Sequence, residues 1–257
     1  MSITLATTWR PRGELARFAR LLPQIEQGYE QIVIALPSNI DPIDLEQIRT
    51  LTAGRSVALV LSPQPFGNRQ LALQQALHTS TAGHIHLVDM DRLLRWVETQ
   101  PDEWRQTVTA VAKRDCLIMG RTPHALETHP QALQQTEQVI NTVFSHLLGQ
   151  PVDLGGGSRG FSRRCVEYLL AHSAPGSWED ARWPMLLHQA GFQVDYLAVD
   201  GLDWESADRH RNHAADAHVQ REVADAYDAD PRHWARRVEI AQEIIAAGLC
   251  VVTHDLA

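Results

Sequence analysis

Two aspartates one residue apart, Asp89 and Asp91 in His84-Ile85-His86-Leu87-Val88-Asp89-Met90-Asp91, are the side chains of this sequence best suited to chemistry. A short apolar run ends in them. In an extended strand, side chains at i and i+2 point to the same side. Both carboxylates can therefore face one point just past a strand end. Carboxylate oxygens are hard ligands, suited to Mg2+ or Mn2+ that also holds substrate phosphates. If that is their job, the protein is an enzyme acting on a nucleotide-linked substrate; if not, they form an ordinary acidic turn. The competing reading makes Asp89 a cap for the helix that begins near Arg92, and Asp-x-Asp tripeptides are common by chance.

The elements around the pair decide whether it is well placed. Residues 3–7, 31–36, 56–61 and 85–88 read as strands. Residues 14–22, 42–51 (capped by Asp41) and 68–78 between them read as helices. Strand and helix alternating in this way imply a parallel sheet covered by helices on both faces. Ligands of such sheets sit beyond the carboxyl ends of the strands. Thr7-Thr8, Pro37-Ser38, Ser62-Pro63 and the two aspartates all fall there. Further on, the pattern predicts helices over 91–98, 102–113, 131–148 and 162–171, and another ending at Gln189. It predicts strands over 116–120 and 193–199, a glycine-rich loop opening at Gly155-Gly156-Gly157, and a last helix over 231–247.

Composition narrows the function. The chain has 257 residues, 44% hydrophobic and 21% charged, as expected of a globular protein with a substantial core. Its net charge of −8 offers no basic face, which argues against nucleic-acid partners. Three scattered cysteines, Cys116, Cys165 and Cys250, argue against a disulfide framework or thiolate zinc site and suit a reducing cytoplasm. The first ten residues are too short and polar for a signal peptide, and no apolar run reaches membrane-span length.

Several motifs stand in a recognisable order: Thr7-Thr8-Trp9-Arg10-Pro11-Arg12 after the first strand; Gly67-Asn68-Arg69-Gln70-Leu71-Ala72; Asp89-Met90-Asp91; Gly157 to Arg164, ending in Phe161-Ser162-Arg163-Arg164; Glu179-Asp180; and Gly191-Phe192-Gln193-Val194. Together they resemble GT-A-type glycosyltransferases of the family 2-like group, within the nucleotide-diphospho-sugar transferase superfamily. The resemblance covers roughly residues 1–205 and leaves 206–257 as a C-terminal extension packed on the same domain. It implies a GT-A fold and transfer of a sugar from a nucleotide diphosphate sugar to an acceptor the sequence does not name. It also implies a divalent cation, Mn2+ or Mg2+, held by Asp89 and Asp91 with His210 or His213 completing the shell. Asp180, with Glu179 beside it, is then the acceptor base. Thr7, Thr8, Arg12, Asn68, Arg69, Asp89 and Arg159 would hold the donor, and Arg163 is a further phosphate contact by its guanidinium chemistry.

The departures bear on substrate. No acidic residue ends the second strand, where relatives hold the base or ribose, and no Gln-x-x-Arg-Trp motif occurs. A processive polymerase is therefore disfavoured. Two other readings compete: a sugar-nucleotide-binding module without catalysis, and a nucleotidyltransferase. The second normally carries a Gly-x-Gly-Thr-Arg start, which Thr8-Trp9-Arg10-Pro11-Arg12-Gly13 lacks. Gly155 to Gly160 also matches G-x-G-x-x-G, but it lies mid-chain after a poor strand, so a nicotinamide site is disfavoured. Val238, Ala241, Ile244 and Ile245 form an apolar face on the last helix. That face needs a partner surface, in this chain or in a second copy forming a homodimer.

Overall fold

The structure is a computed structural model that describes residues 2–63, 68–173 and 178–253. Gly67, which opens the second motif, lies outside the described residues. The chain runs β1 (Ile3–Thr8), α1 (Leu15–Ile25), β2 (Gln31–Leu36), α2 (Pro42–Thr52), β3 (Val57–Leu61), α3 (Arg69–Thr79) and β4 (His84–Val88). It continues through α4 (Met90–Thr99), α5 (Pro101–Val111), β5 (Cys116–Arg121), α6 (Pro123–Glu127), α7 (Gln131–Leu148), β6 (Ser158–Ser162) and α8 (Arg163–His172). Last come α9 (Glu179–Gln189), β7 (Val194–Val199), α10 (Ala217–Asp228) and α11 (Pro231–Thr253), with single 3-10 turns at Leu154–Gly156 and Glu205–Asp208.

The seven strands form one sheet in the order β3-β2-β1-β4-β6-β5-β7. β6 runs antiparallel to both neighbours and the other pairs are parallel. Alternate residues of β2 serve two different cores. Ile32, Ile34 and Leu36 join Phe18 and Leu22 of α1 and Leu93 and Trp96 of α4. Val33 and Ala35 join Leu73 of α3, Phe144 of α7 and Trp183 of α9. A strand buried on both faces lacks polar alternation, which is why β2 reads as one continuous apolar run.

β6 departs from the sequence reading, which has a glycine-rich loop leading straight into a helix. Its sequence, Ser-Arg-Gly-Phe-Ser, has one large apolar residue and little strand propensity of its own. Its neighbours impose the strand. A Cβ on Gly160 would come within 2.6 Å of the Val111 side chain, so the strand needs glycine where α5 presses on it. The Ser158 hydroxyl lies 2.9 Å from His86 Nε2, and Tyr29 Oη lies 2.7 Å from Nδ1 of the same ring. Burial pushes the His86 pKa down to about 3, so this is a neutral core histidine. The register sets Val88 opposite Ser158, which brings the turn before β6 to the carboxyl end of β4, beside Asp89.

The C-terminal part is tied to the sheet layer. Arg17 of α1 and Arg95 of α4 each reach Asp208 at 2.8 Å, within the 3-10 turn that ends the excursion after β7. α11 extends to Thr253, beyond the expected end at 247. Ala241, Ile244 and Val251 are buried in the same core as Phe144 and Trp183, so most of the helix's apolar face finds its partner in this chain. Val238 is 58% exposed and stays outside. No helix among the described residues is long and apolar enough to cross a membrane.

Candidate functional site

Asp89 is the residue at which β4 becomes α4, yet its side chain makes no capping bond to that helix. Its carboxylate is used elsewhere. Thr8 at the end of β1 donates its hydroxyl to Oδ1 at 2.9 Å. Arg69, first residue of α3, grips both oxygens, Nε to Oδ1 at 3.2 Å and Nη2 to Oδ2 at 2.7 Å. The third nitrogen of Arg69, Nη1, donates to Asp180 Oδ1 at 2.8 Å in the first turn of α9. Arg69 thus joins three elements at one sheet edge. Burial alone would raise the Asp89 pKa, but the Arg69 guanidinium, helped by Arg92 and the Thr8 hydroxyl, holds it below the usual carboxylate range. The capping alternative for Asp89 does not hold.

Asp91 has the opposite surroundings. It accepts the Arg92 backbone N–H at 3.0 Å. Burial and the nearby carboxylates of Glu205 and Asp89 push its pKa up to about 7, against the pull of Arg92 and Arg12. Glu205 is 7% exposed, and its Oε2 has no hydrogen-bond partner among the described residues. The nearest guanidinium nitrogen, Arg92 Nη1, stands 3.9 Å away, beyond hydrogen-bond reach.

Two cavities flank this strand end. One is lined by Asp91, Glu205, Ser206, Asp208 and Arg209 together with Arg12, Glu14 and Arg17. Glu14 shapes its rim by accepting Trp9 Nε1 at 2.8 Å and the Arg12 backbone N–H at 2.6 Å. Burial and the adjacent Arg12 guanidinium lower the Arg209 pKa, so two cations share that wall. The other, larger cavity, of about 160 Å3, is lined by Arg69, Asp180 and Trp178 together with Arg92, Gly155 and Gly157. Glu137 and Asn141 of α7 and Arg237, Ile240 and Ile244 of α11 close it. Gly157 has φ +65, and a Cβ there would lie 3.0 Å from Arg92 Nε. The glycine therefore permits both the left-handed turn and the Arg92 side chain lying across it.

The structure brings together Thr8, Arg69, Asp89 and Asp180, and separately sets Arg12 beside Asp91. Burial pushes Glu179 up to about 7, against Arg69 and with the help of Asp180 and Asp89. Other expected residues have structural duties. Thr7 is fully buried in β1. Asn68 caps α3, accepting from Leu71 N at 2.9 Å. Arg159 is buried, donating to the carbonyls of Ser158 and Leu154 at 2.7 and 2.8 Å, and its Nη2 also stands 4.0 Å from Asp180 Oδ1, so it braces the turn before β6 beside the Arg69–Asp180 pair. Arg163 donates to the carbonyls of Ser80 and Leu77 at 2.9 Å and closes the end of α3. His210 donates its backbone N–H to the Arg12 carbonyl at 2.9 Å and packs over Gly13, whereas His213 lies 3.3 Å from Glu98 at the far end of α4. Among the described residues no three His, Cys, Asp or Glu side chains gather as a ready metal cage.

Glu205, Arg209, Arg92 and Arg237 escape the sequence reading. Arg92 adjoins Asp91 directly, and Arg237, Ile240 and Ile244 are spaced i, i+3, i+7 along one helix face. Those signals were present. Nothing local distinguishes Glu205 and Arg209 from the polar residues around them.

No family model and no protein of curated function matches this sequence. Solved structures do resemble it. A mycobacterial protein superposes with a TM-score of 0.52 at 14% identity, over 77% of this chain and 66% of its own. Glucosyl-3-phosphoglycerate synthase from Mycobacterium tuberculosis, solved with Mn2+, uridine diphosphate and phosphoglyceric acid, gives 0.49 at 12% identity over 77% of this chain and 68% of that one. 4-Diphosphocytidyl-2C-methyl-D-erythritol synthase from Anaerococcus prevotii gives 0.48 at 11% identity over 89% and 99%. At such identities the likeness is one of fold. The chain has the mixed α/β architecture expected of it: a seven-stranded, mostly parallel sheet with helices on both faces.

Proposed function

We propose that the protein is a divalent-cation-dependent glycosyltransferase that moves a sugar from a nucleotide diphosphate sugar to an acceptor. One observation carries this reading. Two cavities flank the Asp89–Asp91 strand end, one where Arg12 and Arg209 stand with Asp91 and a Glu205 whose Oε2 has no hydrogen-bond partner among the described residues, the other lined by Asp180. That is the division of labour between a charged donor and a hydroxyl acceptor.

In this reading the donor diphosphate lies at Arg12 and Arg209, whose guanidinium groups match phosphate oxygens. The residues present fit a cation. Mg2+-type sites need only one or two carboxylates plus substrate phosphates, and Asp91 with the unpartnered Glu205 Oε2 supplies them. Asp89 is neutralised by Arg69, so the ligand role passes to Asp91 and Glu205. When bound, the cation offsets charge on the departing diphosphate. Asp180, facing the larger cleft, takes the proton of the attacking hydroxyl, and Arg69 holds it at a fixed distance from Asp89. Residues 1–205 form the catalytic framework, and the segment from 206 covers it with Arg209 and α11.

The test is a thermal-shift screen of nucleoside diphosphates with and without Mn2+, on the wild type and Asp91→Ala. A ligand at about a hundred times its Kd should raise Tm by roughly 5–10 °C, and Asp91→Ala should lose the Mn2+-dependent part. If no nucleoside diphosphate shifts the transition, the donor reading falls. An equal Mn2+ effect in Asp91→Ala removes the cation from Asp91. Turnover that consumes a nucleoside triphosphate and releases pyrophosphate would make the protein a nucleotidyltransferase instead.

A further inference from the structure

We propose that the larger cleft takes an acceptor bearing an anionic group, a phosphate or a carboxylate, seated against Arg237 and Arg92; this rests on the donor lying in the smaller pocket. The cleft wall carries three guanidinium groups, Arg69, Arg92 and Arg237, against two carboxylates, Asp180 and Glu137. Arg69 is taken up by Asp89 and Asp180, at 2.7 and 2.8 Å, which leaves Arg92 and Arg237 as the guanidinium groups open to a further anion.

The two carboxylates are already committed. Asp180 is held by Arg69 at 2.8 Å. Glu137 is shared between Arg121 of β5 and Arg237 of α11, at 2.6 Å each. Arg121 also bonds Asp153 through Nε at 2.8 Å, which locks Glu137 from behind. The arginines retain unused donors. Arg237 Nε is buried and has no hydrogen-bond partner among the described residues, while Arg92 Nη1 makes no hydrogen bond and stands 3.9 Å from Glu205. A buried, charged N–H without an acceptor costs free energy. An anion entering the cleft relieves that cost and finds donors set around it rather than a single point charge. Trp178, Ile140, Leu154, Ile240 and Ile244 provide an apolar remainder for the rest of a small molecule.

The experiment titrates inorganic phosphate and, separately, acetate into the wild type, Arg237→Gln and Arg237→Lys by calorimetry, with a parallel titration of the nucleoside diphosphate that gives the largest thermal shift. Phosphate, acetate or both should bind the wild type and remain bound when the nucleoside diphosphate is added. Arg237→Gln should weaken anion binding by about tenfold or more, as loss of a charged hydrogen bond does, and Arg237→Lys should restore part of it. Nucleoside diphosphate affinity should stay within about twofold in all three, since one lost neutral contact costs more than that. Tighter phosphate binding assigns a phosphorylated acceptor; tighter acetate binding assigns a carboxylated one. Equal anion affinity in the wild type and Arg237→Gln overturns the proposal, and so does displacement of the anion by the nucleoside diphosphate. Where Arg237→Gln does not fold, the Arg237 Nε–H resonance of the wild type decides: it shifts on adding anion, or the proposal fails. Anion binding that depends on Arg237 without any nucleoside diphosphate binding leaves this pocket standing and removes the donor reading.

Discussion

Asp89 and Asp91 are two residues apart at the end of one strand, yet they occupy opposite electrostatic surroundings. Asp89 is gripped by Arg69 and Thr8 and held below its ordinary pKa. Asp91 faces Glu205 in a half-closed pocket and is pushed up to about 7. The first is a neutralised structural joint linking β4, α3 and α9. The second belongs to a group of carboxylates whose mutual repulsion Arg92 and Arg12 offset only in part. Such charge persists where a ligand completes it, because structural carboxylates are ordinarily given a partner.

The most severe way to test this contrast is to remove Arg69. Arg69→Ala leaves Asp89 and Asp180 facing each other without their shared cation, and breaking a buried pair by removing one partner is strongly destabilising. These side chains are 20–26% exposed, so solvent softens the loss. The expected fall in unfolding free energy is about 2–4 kcal/mol, read from urea melts. A loss near zero would mean that the joint at Asp89 holds nothing together.

A second test uses pH, in chelator so that no cation intervenes. The folded-state pKa of Asp91 is raised to about 7 from an ordinary 3.8. A raised acid stabilises the fold below its unfolded pKa, and that contribution is lost as pH rises through the folded value. Asp91→Asn removes the loss. It should therefore be more stable than the wild type at pH 8, by about 1–2 kcal/mol in a pocket partly screened by solvent. The gain should vanish below about pH 4. Asp89 is shifted the other way, so its contribution is present above the ordinary value and lost as pH falls through the folded one. Asp89→Asn should be less stable than the wild type at pH 8, with the gap closing in acid. Curves of the same sign for both variants would erase the distinction between the two aspartates.

How much of this was legible before folding follows from which interactions are local. The strands from β1 to β4 and the helices between them are written as apolar runs and helical spacing, and the pair at Asp89 and Asp91 stands at the predicted strand end. β6 was hidden because Gly160 and Ser158 are chosen by Val111 and His86, residues far away in sequence. Glu205 and Arg209 were hidden for a related reason. They reach the site because Arg17 and Arg95 capture Asp208, and ion pairs across such separations leave no periodic trace in the sequence. The histidine-rich look of residues 210–218 drew attention to imidazoles, whereas the carboxylate and guanidinium nearby line the pocket.

The smallest expected effect concerns those imidazoles. His213 is 73% exposed in its side chain and contacts Glu98, near the end of α4, while Asp91 lies in the first turn of the same helix. Seven residues of helix separate the two carboxylates by roughly 10 Å along the axis. A cation held by Asp91 therefore does not reach His213 in this arrangement. An exposed ion pair of this kind is worth less than about 1 kcal/mol. His213→Ala should leave both the urea midpoint and the Mn2+-dependent nucleoside diphosphate affinity nearly unchanged. A tenfold or greater loss of that affinity, measured by calorimetry, would move the cation toward Glu98 and end the assignment of the pocket at Asp91 as the charged half of the site.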